Sequence, residues 1–355
     1  MRDLLVGLVR LGLGYAEELS WHRDIDWGKL ETIAKEQGVL AIVLDGIDRL
    51  PSEQRPPQRL LLNWIGEVLQ AESLASLQRE VSADMAKLFY RNGIRTYILK
   101  GVIVSECYPK PAHRISVDVD CYLLPERGDF DAWSLGNELI RAKGFIVNTD
   151  FYKNSSFDLS GVLVENHQFL TPFRGNKRLT TFERVLQAQL NIDKGDDCIE
   201  GTSLCRPPVM VSALFLIEHA YSHFLQEGLT LRHVLDWALF SKKHKEKIFW
   251  SDFDAYIEEF GFRKFYDTYN RLGIYFLGEI DASSLTKRDR KMLKDIWAPL
   301  DLHDEKVKGL RRKIAFAGNT WRARWKYRYF TDTSWFVALW IQVKGFLFMK
   351  HPTLD

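Results

Sequence analysis

No stretch of this sequence carries enough consecutive apolar residues to span a membrane. The nearest approach, "WFVALWIQVKGFLFMKHP" from Trp335, is interrupted by Gln342 and Lys344 before the roughly 18 residues that a span requires. The opening "MRDLLVGLVRLGLGYAEELSW" has a shorter apolar run and no convincing cleavage site, and reads as an amphipathic helix. Cysteine is sparse. Cys107, Cys121, Cys198 and Cys205 are scattered, with no C-x-x-C pair, which excludes a dense disulfide framework and predicts reduced thiols in a cytoplasmic protein. Internal repeats and low-complexity tracts are missing as well. Nor does one sign of charge dominate: 49 Lys and Arg against 47 Asp and Glu leave +2, too little to argue for nucleic acid by itself.

What remains is ordinary globular material, 46% hydrophobic and 27% charged, and 355 residues can form two or three compact units. Residues 1–92 are helical in pattern. "WGKLETIAKEQGVLAIVLDGIDRL" reads as two short helices broken near Gly38. The stretch from Pro56 to Gly93 reads as one long helix, opened by prolines and stopped at Asn92-Gly93. From Ile94 the pattern becomes mixed. "IRTYIL", "ISVDVDCYLL", "FIVNTDF", "SSFDLS" and "GVLVENHQFL" read as strands; helices follow Gly101 and end at Gly144. After Pro207 the pattern is helical again, most clearly in "VMVSALFLIEHAYSHFLQEG" and "LRHVLDWALFSKK". The expected class is α+β: a small mixed sheet over 93–207, flanked by helical regions at 1–92 and 208–355.

The chemistry is concentrated in "YILKGVIVSECYPKPAHRISVDVDCYLL". On a strand, side chains two apart share a face. Asp118 and Asp120 therefore project from one side, and Val117, Val119 and Cys121 from the other. A buried carboxylate needs a compensating cation, and two together suit Mg²⁺ (or Mn²⁺), which takes hard oxygen ligands and keeps positions open for water and phosphate. The plainer alternative is a strand end where both aspartates are solvated or paired with Arg114. Upstream, Lys100 and Gly101 stand at a strand-to-helix junction where backbone and a helix N-terminus can approach an anion. Lys100 and Arg114 are candidate phosphate contacts.

"ILKG", then "YPKPAHRISVDVDCYLLPE", a helix ending in "KGF", and "GVLVENH" resemble, in that order, the uncharacterised nucleotidyltransferase family of the polymerase-β-like superfamily. The resemblance covers roughly residues 25–245. It implies that Asp118 and Asp120 ligate metal, and that Glu165 is the third carboxylate that positions or deprotonates the attacking hydroxyl. Asp150 and Asp158 are rivals, with Glu165 preferred; His167 shares the strand face of Glu165. It further implies a Mg²⁺-dependent transfer of a nucleoside monophosphate from a nucleoside triphosphate to an acceptor hydroxyl on a small molecule, a protein or an RNA, with release of pyrophosphate. The superfamily usually carries Gly-Ser where this chain has Gly101-Val102, a departure that favours the alternative of a nucleotide-binding or accessory protein without turnover.

Two features lie outside that pattern. His219 and His223 are four apart on a helix, and Arg232 and Asp236 repeat the spacing on the next. A zinc site is one reading, although no HExxH is formed; a polar network between the two helices, facing the substrate cleft or not, is the other. Between Lys306 and Arg328 lie nine Lys or Arg and no Asp or Glu, interleaved with aromatic residues. That segment is a solvated helix face, a nucleic-acid surface or, joined to the apolar tail, an anionic-membrane contact.

Overall fold

The computed structural model describes residues 1–19, 21, 24–192, 197–298 and 321–348. Three helices come first: α1 (Arg2–Leu13), α2 (Trp27–Glu36) and α3 (Leu40–Asp48), the last two separated at Gly38 as the sequence predicts. The long helix α4 (Gln58–Tyr90) has 33 residues, about 50 Å at 1.5 Å per residue. The mixed region follows as β1 (Ile94–Ile98), α5 (Val102–Ser105), β2 (Asp118–Pro125), α6 (Ala132–Ala142), β3 (Asn154–Leu159), β4 (Val162–His167), α7 (Lys177–Ile192) and β5 (Leu204–Cys205). The remaining helices are α8 (Val209–Gln226), α9 (Leu231–Lys243), α10 (Trp250–Glu259), α11 (Arg263–Phe276), α12 (Lys287–Ile296), α13 (Arg324–Phe330) and α14 (Trp335–Phe348).

The five strands form one sheet in the order β3-β4-β2-β1-β5. Neighbours β2 and β4, and β1 and β5, run parallel; the other two pairs are antiparallel. A small mixed sheet flanked by helices is the expected α+β class.

The alternation along β2 assigns each side chain to a layer. Val119, Cys121 and Leu123 enter a core with Ile98, Phe157 and Val164, closed by Met85 and Phe89 of α4 and by Ile140 of α6. Helix α6 lies so near that a Cβ on Gly136 would fall 2.3 Å from Leu123 Cδ1, so any larger residue there would have to displace that leucine methyl. On the opposite face Tyr122 and Leu124 join Tyr97 in a larger core that also takes residues of α1, α3, α8, α9 and α11. Asp118 and Asp120 belong to this second face, so the strand turns its carboxylates toward the helices.

Several local expectations are corrected. "FIVNTDF" is not a strand: only Asn148 makes a bridge, to Ser156, and Phe145, Ile146 and Phe151 stay exposed rather than entering a core. Helix α7 occupies a stretch with no helix in the sequence reading, although Phe182, Leu186 and Leu190, all fully buried, carry the four-residue spacing of a helical stripe. Nor are all four cysteines thiols. An antiparallel bridge brings Cys198 opposite Cys205 with Cα atoms 3.9 Å apart, and the two are joined as a disulfide; Cys107 and Cys121 are free.

Among the described residues no helix is long and apolar enough to cross a membrane. Most of the basic segment, residues 306–320, lies outside the described part. Within its remainder Lys326 is no surface cation. It is buried in α13, donates to the Phe224 carbonyl at 2.7 Å and pairs with Asp295 at 2.8 Å.

Candidate active site

Parallel pairing of β2 with β4 sets Asp120 beside Glu165 and Tyr122 beside His167. His167 Nε2 stands 2.9 Å from Asp120 Oδ1 and 3.6 Å from Glu165 Oε2, while its Nδ1 is 3.3 Å from the Phe169 carbonyl. Asp120 and His167 are buried and Glu165 is partly open. Each of the three offers a ligand atom within 4.8 Å of the others. This is the cluster of metal-ligating type among the described residues, and it includes His167 in place of Asp118. Asp118 falls one pleat earlier, opposite Leu163. Of the rival carboxylates, Asp150 is exposed. Asp158 caps the β3–β4 turn through the Gly161 amide at 2.8 Å, two strands and about 10 Å from β2. Glu165, on the adjacent strand, is the one beside Asp120.

Lys100 follows β1 and puts its ammonium 3.2 Å from Asp120 Oδ2 and 4.0 Å from Asp118 Oδ2. Its third neighbour is His219 Nε2, at 3.3 Å. The two aspartates thus share one face and one cation. Burial would lower the Lys100 pKa, but the charges of Asp120 and Asp118 outweigh it and raise the value. Burial would likewise raise Asp120; Lys100 and the His167 hydrogen bond hold it well below the ordinary carboxylate range. Asp118 has no such direct bonds, and burial followed by the charge of Asp120 raises it. Glu165 is lowered, chiefly by its hydrogen bond with His167. The outcome is two ionised carboxylates in the cluster.

Gly101 has φ +65° and ψ −105°, a left-handed conformation that side chains strain. The helix after it, α5, is a single turn of four residues, too short to sum a dipole of consequence. Instead Ser116 closes the turn. Its Oγ lies 3.3 Å from where a Gly101 Cβ would be and donates to the Asp118 carbonyl at 3.1 Å, while Gln78 of α4 holds the Ser116 carbonyl at 3.2 Å.

Beyond Lys100, Ser116 and Asp118 opens a cavity of about 500 Å³ whose far wall is α8 and α9, a size suited to a small-molecule ligand. His219, His223, Arg232 and Asp236 all line it; Asp120, Glu165 and His167 do not, and of the carboxylates on β2 only Asp118 reaches its wall. His223 stacks on His233, 5.4 Å away, and meets the ring of His219 edge-on at 4.4 Å. His233 also lines the cavity and was missed in the sequence because it reads as an ordinary first-turn residue. There it completes a capping box with Thr230. Burial, then nearby cations, depress the pKa values of His219 and His233 far below the usual range, so both rings are neutral. Asp236 is committed to Arg114 through two hydrogen bonds, 3.0 and 2.7 Å, and takes a third from Tyr108 at 2.7 Å. Arg114 Nη1 and Arg232 Nε are buried without a hydrogen-bond partner; Arg232 is fixed by donating to the Ile115 carbonyl at 2.5 Å.

A family model described as an uncharacterised nucleotidyltransferase matches residues 23–272. The chain belongs to that family. No curated protein and no solved structure shows a significant match. Within this nucleotidyltransferase family assignment, the valine at 102 acquires a structural context. The hydroxyl absent from position 102 has a neighbour in Ser116, which reaches the same turn from the strand side.

The donor set of this nucleotidyltransferase-family chain fits a hard divalent cation. Carboxylates dominate it, and Asp120 Oδ2 is buried with an ion pair to Lys100 but no hydrogen bond. For His167 to add a nitrogen through Nε2, its proton must sit on Nδ1, where the Phe169 carbonyl is placed to accept it.

Proposed function

We propose that the protein transfers a nucleoside monophosphate from a nucleoside triphosphate to an acceptor hydroxyl, with Mg²⁺ or Mn²⁺ as cofactor and pyrophosphate as the leaving product. The observation that supports this most is the gathering of Asp120, Glu165 and His167 within ligand distance of one another, beside Asp118 and Lys100 at the wall of a ligand-sized cavity.

Asp118, Asp120 and Glu165 would hold the metal, with His167 as a further ligand or as the group aligning the two inner carboxylates. When bound, the divalent ion supplies charge neutralisation for the triphosphate and for pyrophosphate as it departs. Lys100, Ser116 and the Gly101 backbone orient the phosphates. Glu165, ionised and partly open, accepts the proton of the acceptor hydroxyl as that oxygen bonds to the α-phosphorus and the bond to the bridging oxygen breaks. Arg232 and the neutral histidines of α8 and α9 bind and orient whatever carries the hydroxyl, and the helical wall limits water.

Calorimetric titration of the full chain with each nucleoside triphosphate, with and without Mg²⁺, tests the reading. Metal-dependent binding that disappears in Asp118→Asn and Asp120→Asn supports it. No binding of any nucleotide by the wild type overturns it. Val102 favours a second reading, a nucleotide-binding protein without turnover. Binding with no pyrophosphate release or label transfer, across small-molecule, protein and RNA acceptors, decides for that one.

A further inference from the structure

The position of Lys100 has a meaning beyond phosphate contact. Its ammonium lies 3.2 Å from Asp120 Oδ2 and 4.0 Å from Asp118 Oδ2, so its single charge occupies the place between the two carboxylates that a divalent ion would have to engage. We propose that Lys100 is a resident counter-ion that keeps the metal position closed until nucleotide arrives, and that it then moves onto the triphosphate. This inference rests on the nucleotidyltransferase reading above.

Three features carry it. First, Asp120 is 1% exposed and Asp118 largely buried, so the pair requires a cation in every state of the protein. Second, the ammonium cannot remain where it is beside a divalent ion, because like charges a few ångströms apart in a poorly solvated site repel strongly. Third, it has somewhere to go. Lys100 is itself part of the wall of the 500 Å³ cavity, its other close partner among the described residues is the neutral His219 at 3.3 Å, and a four-carbon stem allows the head to turn outward. A triphosphate in that cavity offers the ammonium new partners while the vacated carboxylates accept the metal. Metal and nucleotide then favour each other reciprocally.

The test uses Mn²⁺ alone as probe, followed by electron paramagnetic resonance, on the wild-type chain and on Lys100→Met. The substituted side chain is nearly isosteric and removes the resident charge. The expected result is that Lys100→Met binds free Mn²⁺ about tenfold or more tightly than wild type, and that Mn²⁺ raises its unfolding temperature while leaving that of the wild type almost unchanged. With a non-hydrolysable nucleoside triphosphate and Mn²⁺ together, the wild type binds both and the variant loses nucleotide affinity. Equal Mn²⁺ affinities in the two proteins overturn the proposal and leave the nucleotidyltransferase reading intact. Failure of the wild type to bind Mn²⁺ with nucleotide present overturns both. If Lys100→Met does not fold, wild type alone decides. Tight binding of free Mn²⁺, not improved by nucleotide, defeats the inference; weak binding that nucleotide strengthens supports it.

Discussion

Arg114 and Asp236 are joined by a two-pronged buried ion pair across 122 positions of sequence, Nε to Oδ1 at 3.0 Å and Nη2 to Oδ2 at 2.7 Å. The pair fixes the approach to β2 against α9, and so sets the width of the cavity between the aspartates and the helical wall. Removing one partner leaves the other charged and unpaired. Asp236→Asn should lower stability by about 3–5 kcal/mol, read from urea denaturation. Arg114→Met combined with Asp236→Leu should recover part of that loss, because the ion pair's desolvation is removed while the buried Tyr108 hydroxyl loses its acceptor.

Glu165 and Asp158 are both carboxylates on the same sheet face, but only Glu165 neighbours Asp120. Glu165→Gln should reduce turnover about 10²-fold or more, while Asp158→Asn leaves it within about twofold, since that carboxylate caps a turn. A pyrophosphate-release assay on both variants separates them. Equal losses would place the third carboxylate elsewhere.

Ser116 is expected to turn its O–H from the Asp118 carbonyl onto phosphate when nucleotide binds, supplying the hydroxyl that position 102 lacks. Losing one hydrogen bond to phosphate in Ser116→Ala should weaken nucleotide binding about five- to tenfold, with little change in melting temperature. Adding Val102→Ser in that background should restore affinity, as measured by calorimetry. No effect of either substitution would remove Ser116 from the site.

Glu218, one residue before His219, faces away from the cavity. It is 1% exposed, and Ser222 donates to it at 2.5 Å. Burial pushes its pKa from 4.5 up to about 7, so the folded state holds the proton more firmly than the unfolded chain. Stability from this group is full below about pH 4.5 and is lost as pH rises through 7, a difference of about 3 kcal/mol. Glu218→Gln should therefore melt at a higher temperature than wild type at pH 8, and the gap should close at pH 4.5. A gap independent of pH would contradict the assignment.

Much of this was legible in one dimension. The D-x-D alternation placed both aspartates on one face, and the break at Gly38 and the stop at Asn92-Gly93 bounded their helices correctly. What escaped depended on partners far along the chain. No spacing rule reveals that β4 lies parallel to β2 in the register that sets Glu165 beside Asp120 and His167 beside Tyr122. Nor does one disclose that Arg114 is held by Asp236, or that Lys100 stands between the carboxylates. "FIVNTDF" misled because its β-branched and aromatic residues have strand propensity but no core to cover them. The Cys198–Cys205 pair was hidden because seven positions of separation carry no signature until a bridge folds the segment back.

The parallel alignment of β2 with β4 also sets which length changes the gene can tolerate. Side chains alternate along a strand, so one amino acid gained or lost within residues 118–120 or 162–165 would send a carboxylate to the wrong side of the sheet. The turns at 127–130 and 149–151 carry no such parity. Natural variants should therefore differ freely in those turns while keeping both short strands to the residue.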